Sequence, residues 1–239
     1  MGTLRLGSSA VVPVLNTRDV CVVHGVDSNG KLVGGTTAYL NNINSIGERG
    51  LYMAFTYSQV LSPDVTFLRG IQTIDGSMAL YQCFHSSAIR SLDLSSLVSI
   101  NGQAAVASMV DNTALQSIDL SNLTSIFSSG VTHGAYFMLA GTTYLTSVHF
   151  PSLSVLSGTR TLSYCFCRSG VQDIYFEALT STSFGEYTDH FYDMLTNNTG
   201  TCTVHFPVNL ESVIGNWSDV INGFGGTNVT VAFDLSPTA

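Results

Sequence analysis

The sequence predicts an α/β repeat solenoid: a right-handed coil with a parallel β-sheet on one face and short helices or turns on the other, opened by an N-terminal β-hairpin cap. Three observations predict it. An apolar doublet recurs at nearly constant intervals, a second apolar pattern with a different spacing lies between doublets, and only 10% of the 239 residues are charged. Hydrophobic residues reach 45%, so disorder by composition is excluded.

The doublets come first. Leu115-Gln116-Ser117-Ile118-Asp119-Leu120-Ser121-Asn122-Leu123 aligns with Ile89 to Leu97, and Leu145 to Leu153 and Val171 to Leu179 repeat the apolar positions. The marker pairs are Ala38/Leu40, Val65/Phe67, Leu92/Leu94, Ile118/Leu120, Val148/Phe150, Ile174/Phe176, Val204/Phe206 and Val231/Phe233. Their intervals are 27, 27, 26, 30, 26, 30 and 27 residues. An i, i+2 apolar pair puts both side chains on one face of a short strand. Connections of more than twenty residues suit parallel crossovers and are too long for hairpins.

Between the strands, Ala79/Leu80/Cys83/Phe84, Ala105/Val106/Met109/Val110, Ala135/Tyr136/Leu139/Ala140 and Thr161/Leu162/Cys165/Phe166 share an i, i+1, i+4, i+5 spacing. Phe191/Tyr192/Leu195 continues it. This spacing predicts one face of a short helix. Neither a lone strand nor a lone helical turn can bury its apolar face, whereas stacked units share one core.

The pattern L-x-x-I-x-L-x-x-L-x-x-I over Leu115 to Ile126 resembles a leucine-rich repeat. Ile74-Asp75-Gly76 and Ile100-Asn101-Gly102, the aromatic and Cys residues of the intervening pattern, and Pro151 and Pro207 after the marker Phe resemble the BspA-like subclass. The resemblance covers residues 36–234, about eight rungs, and implies the solenoid fold. The family has no common ligand, so it implies recognition without naming a target.

Two units carry four extra residues at the same place: Phe127 to Gly134, and Ser183 to His190. Both are expected to bulge from one edge, and such loops often bind partners. His133, Glu186, Tyr187, Asp189 and His190 are their candidate contact residues. Neutral surface variation accounts for the extra length equally well.

The first 35 residues do not follow the repeat. Val22 to Val33 predicts a hairpin turning at Asn29-Gly30, because Asn-Gly supplies the positive φ of a tight turn. Leu4-Arg5-Leu6-Gly7-Ser8 and the apolar stretch after it are similar to the start of small bacteriophage tail-associated proteins. That similarity implies attachment of a repeat domain to a particle. The domain reading is therefore 1–35 cap and attachment segment, 36–234 solenoid, and 235–239 tail. The opening lacks the charged lead and cleavage site of a secretory signal.

Eight Lys and Arg against sixteen Asp and Glu give a net charge of −8. Phosphate neutralisation needs clustered bases, so no nucleic acid is expected as partner. No apolar run reaches the roughly 18 residues of a membrane span, and no membrane insertion is expected. Five cysteines are an odd number. Cys83 and Cys165 occupy equivalent places three rungs apart, about 14 Å at a rung spacing of about 4.8 Å, too far for a disulfide. Buried free thiols are expected there.

Residues between the members of each doublet point outward. They define a strip of candidate binding residues: Tyr39, Asp93, Asp119, His149, Tyr175 and His205. Ser147, His149 and Asp119 suggest a catalytic triad by composition. A single open strand face offers no pocket or oxyanion donors, so no catalytic residue is assigned. His149 and His205 lie two rungs apart, and no metal or cofactor is expected. A polar, mildly acidic, aromatic-spotted strip suits hydrogen-bonded recognition of a protein or carbohydrate on a cell surface. Plain solvated surface fits the same composition. The leading expectation is a non-enzymatic recognition or adhesion module on a phage tail or fibre, located on the virion. The alternative is an extracellular adhesin of the bacterial cell surface. A homo-oligomer formed through the first 35 residues stays open.

Overall fold

A computed structural model describes residues 14–15, 25–26, 32–33, 44–57, 62–128, 134–184, 189–215 and 223–237. In chain order the strands are β1 (Val14–Leu15), β2 (Gly25–Val26), β3 (Leu32–Val33), β4 (Ser45–Ile46), β5 (Thr73–Asp75), β6 (Ser91–Asp93) and β7 (Ser99–Asn101). They continue with β8 (Ser117–Asp119), β9 (Ser125–Phe127), β10 (Ser147–His149), β11 (Val155–Ser157), β12 (Asp173–Tyr175), β13 (Cys202–Pro207) and β14 (Val229–Leu235). Apart from the β2–β3 pair, they make a parallel β-solenoid with two strand faces and a third face of turns.

The doublets form the first strand face. β6 pairs with β8, and β10-β12-β13-β14 make a four-stranded sheet, all parallel. Register holds from rung to rung: Val148 lies opposite Ile174, Ile174 opposite Val204, and Val204 opposite Val231. The inward residues stack as a column. Phe150, Phe176 and Phe206 are fully buried, with ring centroids 5.1 and 5.5 Å apart and planes nearly parallel. Leu94 and Leu120 continue the buried positions toward the N-terminus.

Two of the eight expected rungs stand apart from the rest. Ala38/Leu40 lies outside the described residues. Val65/Phe67, expected on a strand, instead sits in a 3₁₀ segment, Ser62–Gly70, kinked at Val65. Both side chains are still buried. Pro63 explains the change: it has no N–H for a ladder and its fixed φ favours the first turn of a helical segment.

The second strand face was not anticipated. β1-β4-β5-β7-β9-β11 form a six-stranded parallel sheet. Ile46, Ile74, Ile100, Ile126 and Leu156 line its inner side, each at most 1% exposed. The Gly of the Ile-x-Gly motif is required by close backbone approach. Gly76 and Gly102 have φ of 144° and 122°, and a Cβ on Gly102 would fall 2.5 Å from the Gly76 carbonyl oxygen.

The expected short helices are absent among the described residues, and ribbons of consecutive tight turns take their place. In one ribbon the N–H groups of Leu80, Gln82 and Phe84 donate to Ala105, Ala107 and Met109 of the next rung, at 2.7 to 2.9 Å. The alternate N–H groups of Tyr81, Cys83 and His85 donate three residues back, to Met78, Leu80 and Gln82. Every fourth residue has positive φ: Met78, Gln82 and Ser86, then Ala104, Ser108 and Asn112, then Arg160, Tyr164 and Arg168. Each such residue costs roughly 1–2 kcal/mol. Inter-rung bonding and burial of the inward side chains offset the cost. The ribbon has a four-residue period with two residues in and two out, so it generates the i, i+1, i+4, i+5 pattern that a helix face also produces.

β2 and β3 pair antiparallel, Val26 opposite Leu32, as the expected hairpin requires. Its Asn29-Gly30 turn lies outside the described residues. Cys83, Cys165, Cys167 and Cys202 are all buried free thiols.

Candidate recognition face

On the outer side of β10, β12 and β13, register aligns His149 with Tyr175 and Tyr175 with His205. The three rings form a ladder. His149 and Tyr175 have centroids 4.2 Å apart, Tyr175 and His205 4.4 Å, and both pairs are tilted by only 8°. Parallel pairing without slip puts equivalent side chains about 4.8 Å apart, close to stacking distance. Such contacts contribute about 0.5–1.5 kcal/mol each beyond area burial.

Carboxylates flank the ladder. His149 Nδ1 lies 2.9 Å from Glu177 Oε1. His205 Nδ1 is 2.9 Å from Asp234, and its Nε2 is 3.3 Å from Asp173. His205 thus bridges two carboxylates, and both of its nitrogens donate when the ring is charged. Burial and the nearby Asp173, Asp234 and Glu177 carboxylates push the Tyr175 hydroxyl above its ordinary pKa. Glu177 and Asp234 were missed in the sequence. The signal was there: each lies two residues past an outward strand position, on the same face.

Toward the other end the strip has a different character. Asp93 and Asp119 align in register, but each turns its Oδ1 back on its own chain. They accept from the N–H of Ser95 and Ser121, at 3.0 and 2.9 Å. These contacts end the strands as local Asx turns. Arg69, from the 3₁₀ segment, also meets Asp93 at 3.3 Å. Partial burial works against ionisation of Asp93. The Ser95 hydrogen bonds and Arg69 outweigh it and hold the carboxyl below its usual range.

Of Ser147, His149 and Asp119, which suggest a triad only by composition, two are engaged elsewhere: His149 turns to Glu177 on the following rung, and Asp119 accepts from the Ser121 N–H. Among the described residues no group of His, Cys, Asp and Glu is placed to hold a metal ion. None of their helices is long and apolar enough to cross a membrane.

Tyr39, His133, Glu186 and Tyr187 lie outside the described residues. Asp189 is partly exposed and engaged by Arg160, and His190 corrects the loop reading. Asp189 Oδ1 accepts from the backbone N–H of Arg160 at 3.3 Å, and its Oδ2 lies 3.5 Å from the guanidinium. His190 is fully buried, with Nδ1 2.9 Å from Thr161 Oγ1 and Nε2 2.9 Å from the Phe184 carbonyl oxygen. A polar ring in the core needs both partners. His190 therefore fastens the base of the long unit and cannot serve as an exposed contact.

The fold thus defines the chain as a parallel β-solenoid repeat protein with a laddered polar face. No protein-family model matches it, and no curated protein or solved structure matches it either.

Proposed function

We propose that this chain is a non-enzymatic recognition module of leucine-rich-repeat type, similar to the BspA-like subclass, that binds a protein or glycan on a cell surface. The observation that carries this reading is the His149–Tyr175–His205 ladder. Three aromatic rings are fixed in parallel on an outward sheet face by backbone register, so they form a preorganised surface that loses little side-chain entropy on binding. The N-terminal hairpin caps the solenoid. The phage-like opening segment attaches it to a tail or fibre, which places the module on the virion. The alternative is a bacterial surface adhesin.

The test is binding of fluorescent full-length chain to host cells, with Tyr175→Ala/His205→Ala alongside. Recognition through this face predicts at least a tenfold loss of binding with the far-ultraviolet circular dichroism unchanged. Equal binding by both chains moves the site away from the ladder. Antibody labelling of particles and cells then separates the virion from the adhesin reading.

A further inference from the structure

We propose that the outward face of β10, β12 and β13 docks an extended cationic polypeptide, whose Lys or Arg side chains meet the carboxylates flanking the ring ladder. This rests on the recognition reading above and names the chemistry of its partner. Two independent observations favour such an occupant.

The first is segregation of charge around the solenoid. Beyond Arg90 the sequence has no Lys, and its only Arg residues are Arg160 and Arg168. Both lie on the turn ribbons, against Asp189 and Asp111. The strand face beyond β6 carries Asp119, Asp173, Glu177 and Asp234 and no Lys or Arg. Four carboxylates stand against the imidazoles of His149 and His205, so this face is negative whichever state the histidines hold. Complementary charge steers encounter and fixes register, and an anionic glycan is repelled.

The second is the geometry of the rings. A neutral sugar that stacks on an aromatic side chain needs an open ring face. Both faces of Tyr175 are covered, by His149 at 4.2 Å and by His205 at 4.4 Å. What the ladder offers outward is ring edges and the half-exposed carboxylates of Asp173 and Asp234, whereas Glu177 is more covered and adds its negative charge. Carboxylates of this kind accept hydrogen bonds from ammonium and guanidinium groups. The carboxylates sit on alternate rungs, Asp173 and Glu177 with β12 and Asp234 on β14, about 9.6 Å apart at a rung spacing of about 4.8 Å. An extended chain places alternate side chains on one side, roughly 6.6–6.8 Å apart, and the long Lys and Arg side chains let a single segment reach both.

The experiment measures fluorescence anisotropy of labelled Lys-Ala-Lys-Ala-Lys-Ala-Lys-Ala and of its Glu-Ala counterpart with the full chain. The variant is Asp173→Asn/Glu177→Gln/Asp234→Asn. A charge-matched control, Glu48→Gln/Asp75→Asn/Glu211→Gln, removes exposed carboxylates elsewhere. The expected result is binding of the Lys peptide alone, weakened at least tenfold in the first variant, within twofold of wild type in the control, and weakened by raising salt. Thermal unfolding of both variants verifies that they fold. Absence of Lys-peptide binding, or equal losses in the two variants, overturns the proposal. A glycan-array signal that the first variant retains also overturns it while leaving the recognition reading in place. Absence of host-cell binding by the wild-type chain removes the recognition reading itself, whereas binding that both variants retain moves the site away from this face and overturns the proposal.

Discussion

Arg168 and Asp111 meet across two rungs: the guanidinium Nη2 lies 3.4 Å from Asp111 Oδ1, although 57 residues separate them. Gly141 occupies the rung between. Its Cβ, if present, would sit 3.1 Å from Asp111 Oδ1 and 3.0 Å from the Asn112 nitrogen, and its φ is 64°. The missing side chain is what lets Arg168 reach over. Burial raises the pKa of Asp111, while Arg168 and His85 act in the opposite direction. Gly141→Ala is expected to destabilise by about 1–2 kcal/mol, through backbone strain and crowding of this pair. Urea unfolding measures it.

Arg168→Met gives a pH-dependent outcome from the same cluster. Removing the guanidinium leaves a largely buried carboxylate with less compensation at neutral pH. Because burial already holds the Asp111 pKa above its unfolded value, the folded state favours the protonated acid. That preference supports the fold at low pH and is lost as pH rises through the folded-state value. The substitution should therefore cost about 1 kcal/mol at pH 7, Arg168 being half exposed, and less at pH 4. Unfolding curves at the two pH values check the sign; an equal cost at both contradicts it.

Tyr164 should mark the alkaline limit. Its hydroxyl donates to Asp193 Oδ2 at 2.8 Å, and chiefly for that reason its pKa is pushed up to about 12. The folded-state value exceeds the unfolded one, so the contribution is complete below about pH 10 and lost as pH approaches 12. Tyr164→Phe should be slightly less stable than wild type at pH 8, by under about 1 kcal/mol. The difference should vanish near pH 12. Denaturant titrations across that window test it.

The thiols provide a chemical probe of the core. Burial pushes Cys165 and Cys202 up to about 12, and raises Cys83 and Cys167 as well. Thiolate is the reactive form, so iodoacetamide at pH 8 should leave these four unmodified in the folded chain. In guanidinium chloride all should react. Peptide mapping by mass spectrometry reads the outcome.

The aromatic column and the aromatic ladder occupy adjacent positions of the same strands and should respond oppositely. Phe176→Ala removes a fully buried ring from between Phe150 and Phe206 and is expected to cost about 3–5 kcal/mol. Tyr175→Ala, its outward neighbour, should cost about 1 kcal/mol, from lost stacking on the two histidines. Comparable losses at both positions would contradict the assignment of inner and outer faces.

How much was legible in the sequence follows from how local each cause is. The strand column was readable because a two-residue period and a near-constant rung length leave few alternatives: Val148/Phe150 and Ile174/Phe176 could share a face only by stacking. The outward trio His149, Tyr175 and His205 followed from the same parity. The ribbon was not readable, since its four-residue repeat matches a helix over the ten or so residues available. Hydrogen bonds to the next rung decide between them, and these are non-local. Val65/Phe67 looked like its neighbours in the apolar pattern, yet Pro63 overrode it. The second sheet was signalled by Ser99-Ile100 and Ser125-Ile126, which were read only as the tail of the repeat motif. His190 shows the opposite limit. A histidine in a long polar insertion reads as surface; the Thr161 hydroxyl, 29 residues away, and the Phe184 carbonyl within the insertion satisfy its two nitrogens in the core.

Because half of the ribbon N–H groups donate to the neighbouring rung, and both strand faces are ladders between rungs, most of the backbone bonding runs along the length of the coil. Tension applied between the two ends would load the bonds at each boundary together, as in a riveted seam, and would open boundaries one after another. Each release would free one winding of 26 to 30 residues, a sawtooth that optical tweezers can count. A module built this way resists shear while its outer face stays ordered.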